Sequence, residues 1–308
     1  MKESDADVET ELSKLRGCPE CEYRTLVWRL AKRGPAIVPE LQRIRRHGPG
    51  RLRGAALEVL VNIAGEAGLH PADLAAAERL VRIKAPSERF LNVSLCWDAW
   101  MCVRGGDQRG IMAILGLTPA RAATFALANT VVSDSITGPG GLVFVTPQLN
   151  GWTVIAGGWC DPQPDEHGEE VRYLLEQLSS HYGEAHAYSL TEYGDESDWL
   201  IARAGRTVRR YSETVPAWAI GQPLPIERRH LDALGVTGCP ELMHDNKDME
   251  EAFADFSFAC TARTVAAEMS IDIVGGVRRS DAAVEGIGML AWTPGTSATR
   301  IAPAAYQI

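Results

Sequence analysis

A chain of 308 residues with 45% hydrophobic and 23% charged residues holds enough apolar material for one large core or two ordinary ones. No stretch approaches the ~18–20 consecutive apolar residues of a membrane-spanning helix, so no membrane partner is expected. The acidic, polar start MKESDADVETELSKL fits neither a secretory signal nor an Arg-rich transit peptide, and a cytoplasmic location is expected.

Charge is uneven along the chain. Residues 1–135 carry 19 Lys/Arg against 16 Asp/Glu, whereas residues 136–308 carry 12 against 24. Such asymmetry points to an electrostatic partner or to pairing between the halves. The seven cysteines (18, 21, 96, 102, 160, 239 and 260) are an odd, scattered set that suits reduced thiols better than a disulfide framework.

The first part reads as helices. Leu26, Val27 and Leu30 fall at helical spacing before Gly34-Pro35 breaks the chain, and Ile37, Val38, Leu41 and Ile44 repeat the pattern up to His47-Gly48-Pro49-Gly50. Leu52, Ala55, Ala56, Val59, Leu60 and Ile63 form a third stripe. Pro71 then opens a fourth segment with Leu74, Ala77, Leu80 and Val81 on one face. Helices of this length joined by short Gly/Pro turns resemble the helix pairs of HEAT-type repeats over residues 22–83. The resemblance implies at most two units, whose helices would pack onto the rest of the chain.

After Pro86, the run from Phe90 to Val103 concentrates Leu95, Cys96, Trp97, Trp100, Met101 and Val103 and reads as buried. Asp107 is placed to cap a helix to Leu115, and Pro119 to open another through Leu127. Residues 133–141 combine turn formers with no apolar periodicity, so a division is expected there: a helical region over 1–135 and a second domain over 142–308.

Beyond the linker the pattern turns to strands. Leu142–Val145 and Trp152–Ala156 flank an Asn150-Gly151 turn, residues 168–181 read as a helix, and Ala185–Leu190, Trp199–Ala204 and Thr207–Tyr211 read as three strands. Residues 216–225 look irregular, 248–256 and 260–269 helical, and 286–292 a last strand. The expected fold class is α+β: an N-terminal helical, HEAT-like region followed by an antiparallel-rich sheet domain with helices on one face.

Four groups of residues invite a chemical reading. Cys18-Pro19-Glu20-Cys21 is a CxxC with no preceding strand and no second Cys/His pair, so neither a thioredoxin-like site nor zinc is expected there, and no metal or cofactor elsewhere. Arg43, Arg45, Arg46, Arg51 and Arg53 cluster around one helix–helix turn, a pattern that suits an acidic partner, nucleic acid included. Glu184, His186 and Tyr188 alternate with small residues and share one face of a strand, where a carboxylate, an imidazole and a phenol can move protons. Trp152 and Trp159, separated by Gly157-Gly158, are candidates to stack a planar ligand.

No GxxxxGK[ST], post-strand GxGxxG, GxSxG or HExxH motif occurs. The leading expectation is therefore a non-catalytic interaction or regulatory protein that binds a protein partner or a small ligand. The alternatives are a small-molecule enzyme using Glu184, His186 and Tyr188, or a nucleic-acid binder using the arginines.

Overall fold

The computed structural model describes residues 3–15, 19–65, 68–93, 97–133, 141–191, 196–244 and 246–296. The described residues up to Pro86 form one compact unit, and those from Ser87 onward a second.

The first unit consists of α1 (Glu3–Lys14), α2 (Glu20–Ala31), α3 (Val38–His47), α4 (Gly50–Ala64) and α5 (Pro71–Lys84). Turn chemistry sets these limits. Gly34, at φ +70°, and Pro35 start the 3-10 turn that separates α2 from α3. His70 accepts from the Ala72 amide through its ring at 3.2 Å, and Pro71 begins α5 where a helix needs no amide donor. Helix α4 is the spine. Its Leu52, Ala56, Val59 and Leu60 are buried, as are Val8 and Leu12 of α1, Val27 and Leu30 of α2, and Leu41 and Ile44 of α3. Sequence periodicity did not reveal α1, because only the Val8/Leu12 pair marks its inner face.

The second unit begins with β1 (Phe90–Leu91), β2 (Trp97–Arg104), α6 (Gln108–Ile114), β3 (Thr118–Ala123) and α7 (Phe125–Ser133). It continues with β4 (Leu142–Val145), β5 (Gln148–Leu149), β6 (Trp152–Ala156), α8 (Glu166–Tyr182), β7 (Glu184–Thr191), β8 (Ser197–Arg203) and β9 (Arg206–Ser212). Then follow α9 (Pro225–Ala233), α10 (Glu250–Ala259), α11 (Ala262–Met269), β10 (Val277–Arg278), β11 (Val284–Glu285) and β12 (Gly288–Trp292). Among the described residues, the main sheet is antiparallel throughout. Its strand order is β3-β12-β4-β6-β2-β7-β8-β9, with β5 joining β6 to β11.

The α+β class holds, with two differences along the chain. Residues 134–140, at the expected division, lie outside the described residues, and the units separate earlier, between Pro86 and Ser87. The reason is β2. Residues 97–104 form a strand bonded to β6 on one side and β7 on the other, so they belong to the sheet. Pro119 does not open a helix. It lies in β3, an edge strand, where a missing amide donor is tolerated. The helix that follows starts at Phe125, whose amide and that of Ala126 donate to the Glu88 carboxylate at 3.1 and 2.9 Å.

Helices cover both faces of the sheet rather than the one face expected, because Trp100, Phe144 and Trp199 make its second face apolar as well. On one face α8 packs Val171, Leu175 and Leu178 against Met101, Val103, Ala185, Ala187, Leu200 and Ala202, with Ile111 and Leu115 from α6 at the margin. On the other face, α11 packs on β7 and β8, Phe125 of α7 meets Phe144 edge-on, and Phe256 of α10 approaches Tyr211. Two hairpins have turn residues that the geometry demands: Asn150-Gly151 and Ala204-Gly205 all have positive φ, as a two-residue turn matched to strand twist requires. Buried Arg209 of β9 anchors α9, with its guanidinium 2.5 Å from the Glu227 carboxylate and 2.6 Å from Glu241.

Candidate functional site

The parity of β7 decides what its polar residues can do. Ala185 and Ala187 face α8, so Glu184, His186 and Tyr188 point to the opposite face, as the alternation required. There they form one hydrogen-bonded chain. Glu184 Oε1 lies 3.2 Å from His186 Nε2, His186 Nδ1 lies 3.0 Å from the Tyr188 hydroxyl, and that hydroxyl lies 3.0 Å from Ser270 Oγ at the end of α11. Arg203 and Arg104 close on Glu184 at 2.7 and 2.9 Å.

Charge fixes the direction of this chain. The bond to His186 and the two arginines hold the Glu184 carboxyl well below the usual carboxylate range. Burial pushes His186 down, towards the neutral imidazole, and Tyr188 far up, so the phenol keeps its proton. A carboxylate only accepts, so the neutral ring carries its proton on Nε2 and offers Nδ1 to the phenol. Tyr188 donates to Nδ1 and accepts from Ser270. His186 and Tyr188 are both 0% exposed, with Trp152 5.0 Å from the imidazole and Trp100 stacked on the phenol at 5.3 Å. The three residues do meet, but they meet as a mutually satisfied chain in which His186 and Tyr188 are sealed and Glu184 alone reaches the surface.

Trp152 and Trp159 do not form a platform. Trp152 lies with His186 on the α11 side of the sheet, whereas Trp159 packs into the core beneath α8 and approaches His167 at 6.3 Å. Both rings are buried. The 3-10 turn at Gly158–Cys160 that follows β6 carries the chain to the other side, which spacing alone does not reveal.

The arginine cluster is divided as well. Arg43 pairs with Glu40 and, at 2.8 Å, with Glu9; Arg45 donates to Asp73 of α5 at 2.8 Å; Arg53 donates to the Gly48 carbonyl at 3.0 Å. Arg46 and Arg51 are exposed and make no ion pair among the described residues. Two of the five arginines, Arg43 and Arg45, are thus matched by acids of the same unit. Cys18 lies outside the described residues, and among the described residues no three His, Cys, Asp or Glu side chains are placed to hold a metal. Burial pushes the Cys102 thiol up to about 12 and those of Cys160 and Cys260 also up, so none is a ready nucleophile.

Two features escaped sequence reasoning. The first is a buried polar cluster on the α8 face. Asp198 of β8 stands between Ser189 of β7 and Ser212 of β9, accepts from Ser189 Oγ at 3.3 Å and leaves Oδ1 without a partner among the described residues. Burial, with Asp161 nearby, raises Asp198 to about 6, and burial raises Asp161 too. The signal was the Ser/Asp/Ser set at inward strand positions, visible only once the register is known.

The second is an open cleft of about 370 Å³, lined by Leu190 at the end of β7, Ala254, Ser257 and Phe258 of α10, and Thr261 and Arg263 at the start of α11. Phe258 is 88% exposed at its rim. No periodicity marks such a site, because its residues come from three elements.

The fold and site define an α+β protein with a ligand-sized cleft and a polar chain whose His186 and Tyr188 are sealed. No protein-family model matches this chain, and neither a curated protein nor a solved structure matches it. No helix among the described residues is long and apolar enough to cross a membrane.

Proposed function

We propose that this protein is a non-catalytic binding protein whose second unit takes a ligand in the cleft between β7, α10 and α11. The observation that carries the reading is a contrast in access. The groups best suited to proton transfer, His186 and Tyr188, are wholly buried and bonded to each other, while the cleft is open and lined by apolar and hydroxyl side chains. A general acid or base must come within about 3 Å of the proton it moves. A cleft of a few hundred cubic ångströms with a few placed polar groups is the common form of a small-molecule site.

The test is a thermal-shift screen of small organic ligands on the full chain, run beside chromogenic ester, phosphate and glycoside substrates. Binding raises the unfolding temperature by mass action. Ligands that raise it in the wild type but not in Phe258→Asp, without turnover of any substrate, support the reading. Turnover that disappears in His186→Gln and Tyr188→Phe would replace it with the enzyme alternative.

A further inference from the structure

The lining of the cleft also says what kind of ligand it takes. Its apolar part is Leu190, Ala254 and Phe258, and its polar part is Ser257, Thr261 and Arg263. Arg263 is the sole charged residue among these six, and it is a cation.

Its guanidinium is half-used and held in place. Nε and Nη2 both donate to Asp272 Oδ2 at 3.1 Å, which orients the plane, while Nη1 makes no hydrogen bond among the described residues. The side chain is 44% exposed, so the free edge is within reach of a ligand. Ser257 Oγ also has no partner among the described residues, but it is buried and does not open onto the cleft. The Thr261 oxygen already accepts from the Thr264 amide, which leaves its hydroxyl proton to donate. Two accessible donors, Arg263 Nη1 and the Thr261 hydroxyl, thus border an apolar recess, and none of the six described lining residues is an acid.

Resting on the binding reading above, we infer that the cleft binds a small amphipathic monocarboxylate, its apolar body against Leu190 and Phe258 and its carboxylate on Arg263 Nη1 with the Thr261 hydroxyl beside it. A guanidinium offers a carboxylate a charge-assisted hydrogen bond, stronger than a neutral one. An ammonium headgroup would face the like charge of the guanidinium, and an alcohol would forgo the charge. A cleft of about 370 Å³ holds a chain of moderate length, not a full lipid.

The experiment uses the full chain and the amphipathic anionic dye 1-anilinonaphthalene-8-sulfonate, displaced in turn by octanoate, octan-1-ol and octylamine. The three share one apolar body and differ in the headgroup. Octanoate is expected to displace the dye at concentrations about 10-fold lower than the other two, roughly the value of one charge-assisted hydrogen bond. Arg263→Gln should erase that preference, and Phe258→Ala should weaken all three alike. The headgroup comparison on the wild-type chain keeps the test decisive should Arg263→Gln misfold after releasing Asp272.

Octan-1-ol or octylamine competing as well as octanoate, with Phe258→Ala still weakening them, would overturn the carboxylate assignment and leave the binding reading standing. Dye fluorescence indifferent to all three competitors and to Phe258→Ala would overturn both.

Discussion

Asp198→Asn tests the buried cluster, because it removes a charge that the fold holds at a cost. Asp198 is 3% exposed, and its folded pKa stands at about 6 against an ordinary 3.8. A carboxyl with a raised folded pKa stabilises fully below its unfolded pKa, and that stability is lost as pH rises from about 4 through about 6. A gap of two units corresponds to about 3 kcal/mol above that window. Asparagine keeps an acceptor for Ser189 Oγ but brings two donors into a site short of acceptors, which takes back about 1–2 kcal/mol. A net gain of about 1–2 kcal/mol at pH 7.5 is therefore expected, a rise of roughly 2–8 °C for a domain of this size.

The assay is calorimetric or fluorescence-detected unfolding of both proteins from pH 4 to 8. The quantity to follow is the difference between them, since shared contributions such as that of Glu184 cancel in it. The difference should be zero or unfavourable to the variant at pH 4 and should turn in its favour by pH 7. A difference that does not change with pH would show that Asp198 ionises normally in the folded state, and the reasoning would fail.

Arg209→Leu should cost about 3–5 kcal/mol in denaturant unfolding, because it leaves the buried carboxylate of Glu227 and the partly buried one of Glu241 uncompensated; a loss under 1 kcal/mol would mean the pair is not held as described. Tyr188→Phe, which strands His186 Nδ1 and leaves Ser270 Oγ only the Ala266 carbonyl, is expected to lose about 1–3 kcal/mol, and a neutral outcome would argue that water completes the chain. Gly221 has φ +78°, and a Cβ there would stand 2.0 Å from the Val208 carbonyl oxygen, so Gly221→Ala should lower the melting temperature clearly; an unchanged melting curve would count against the turn geometry. In the first unit, Arg45→Ala should lose about 1–2 kcal/mol with its bond to Asp73, while Arg46→Ala stays within about 0.5 kcal/mol; equal effects of the two would dissolve the distinction between paired and free arginines.

What could be read along the chain was local. Apolar spacing marked α2 to α5, and the interval between Gly183 and Glu213 yielded three strands because alternation and the Ala204-Gly205 turn act over a few residues. The alternation of β7 even assigned Glu184, His186 and Tyr188 to one face, since a strand has only two. Strand β2 resisted, because a strand buried on both faces shows no alternation, and β3 resisted because a proline looks alike before a helix and in an edge strand. Whether the three polar residues of β7 meet solvent depended on α11, which covers them with Ser270 from 82 residues away. The Asp198 cluster needed the β7-β8-β9 register, and the cleft needed α10 and α11 brought beside the end of β7. Periodicity records which side of an element is apolar; only the packing of distant elements settles which polar groups are sealed and which are left facing an open space.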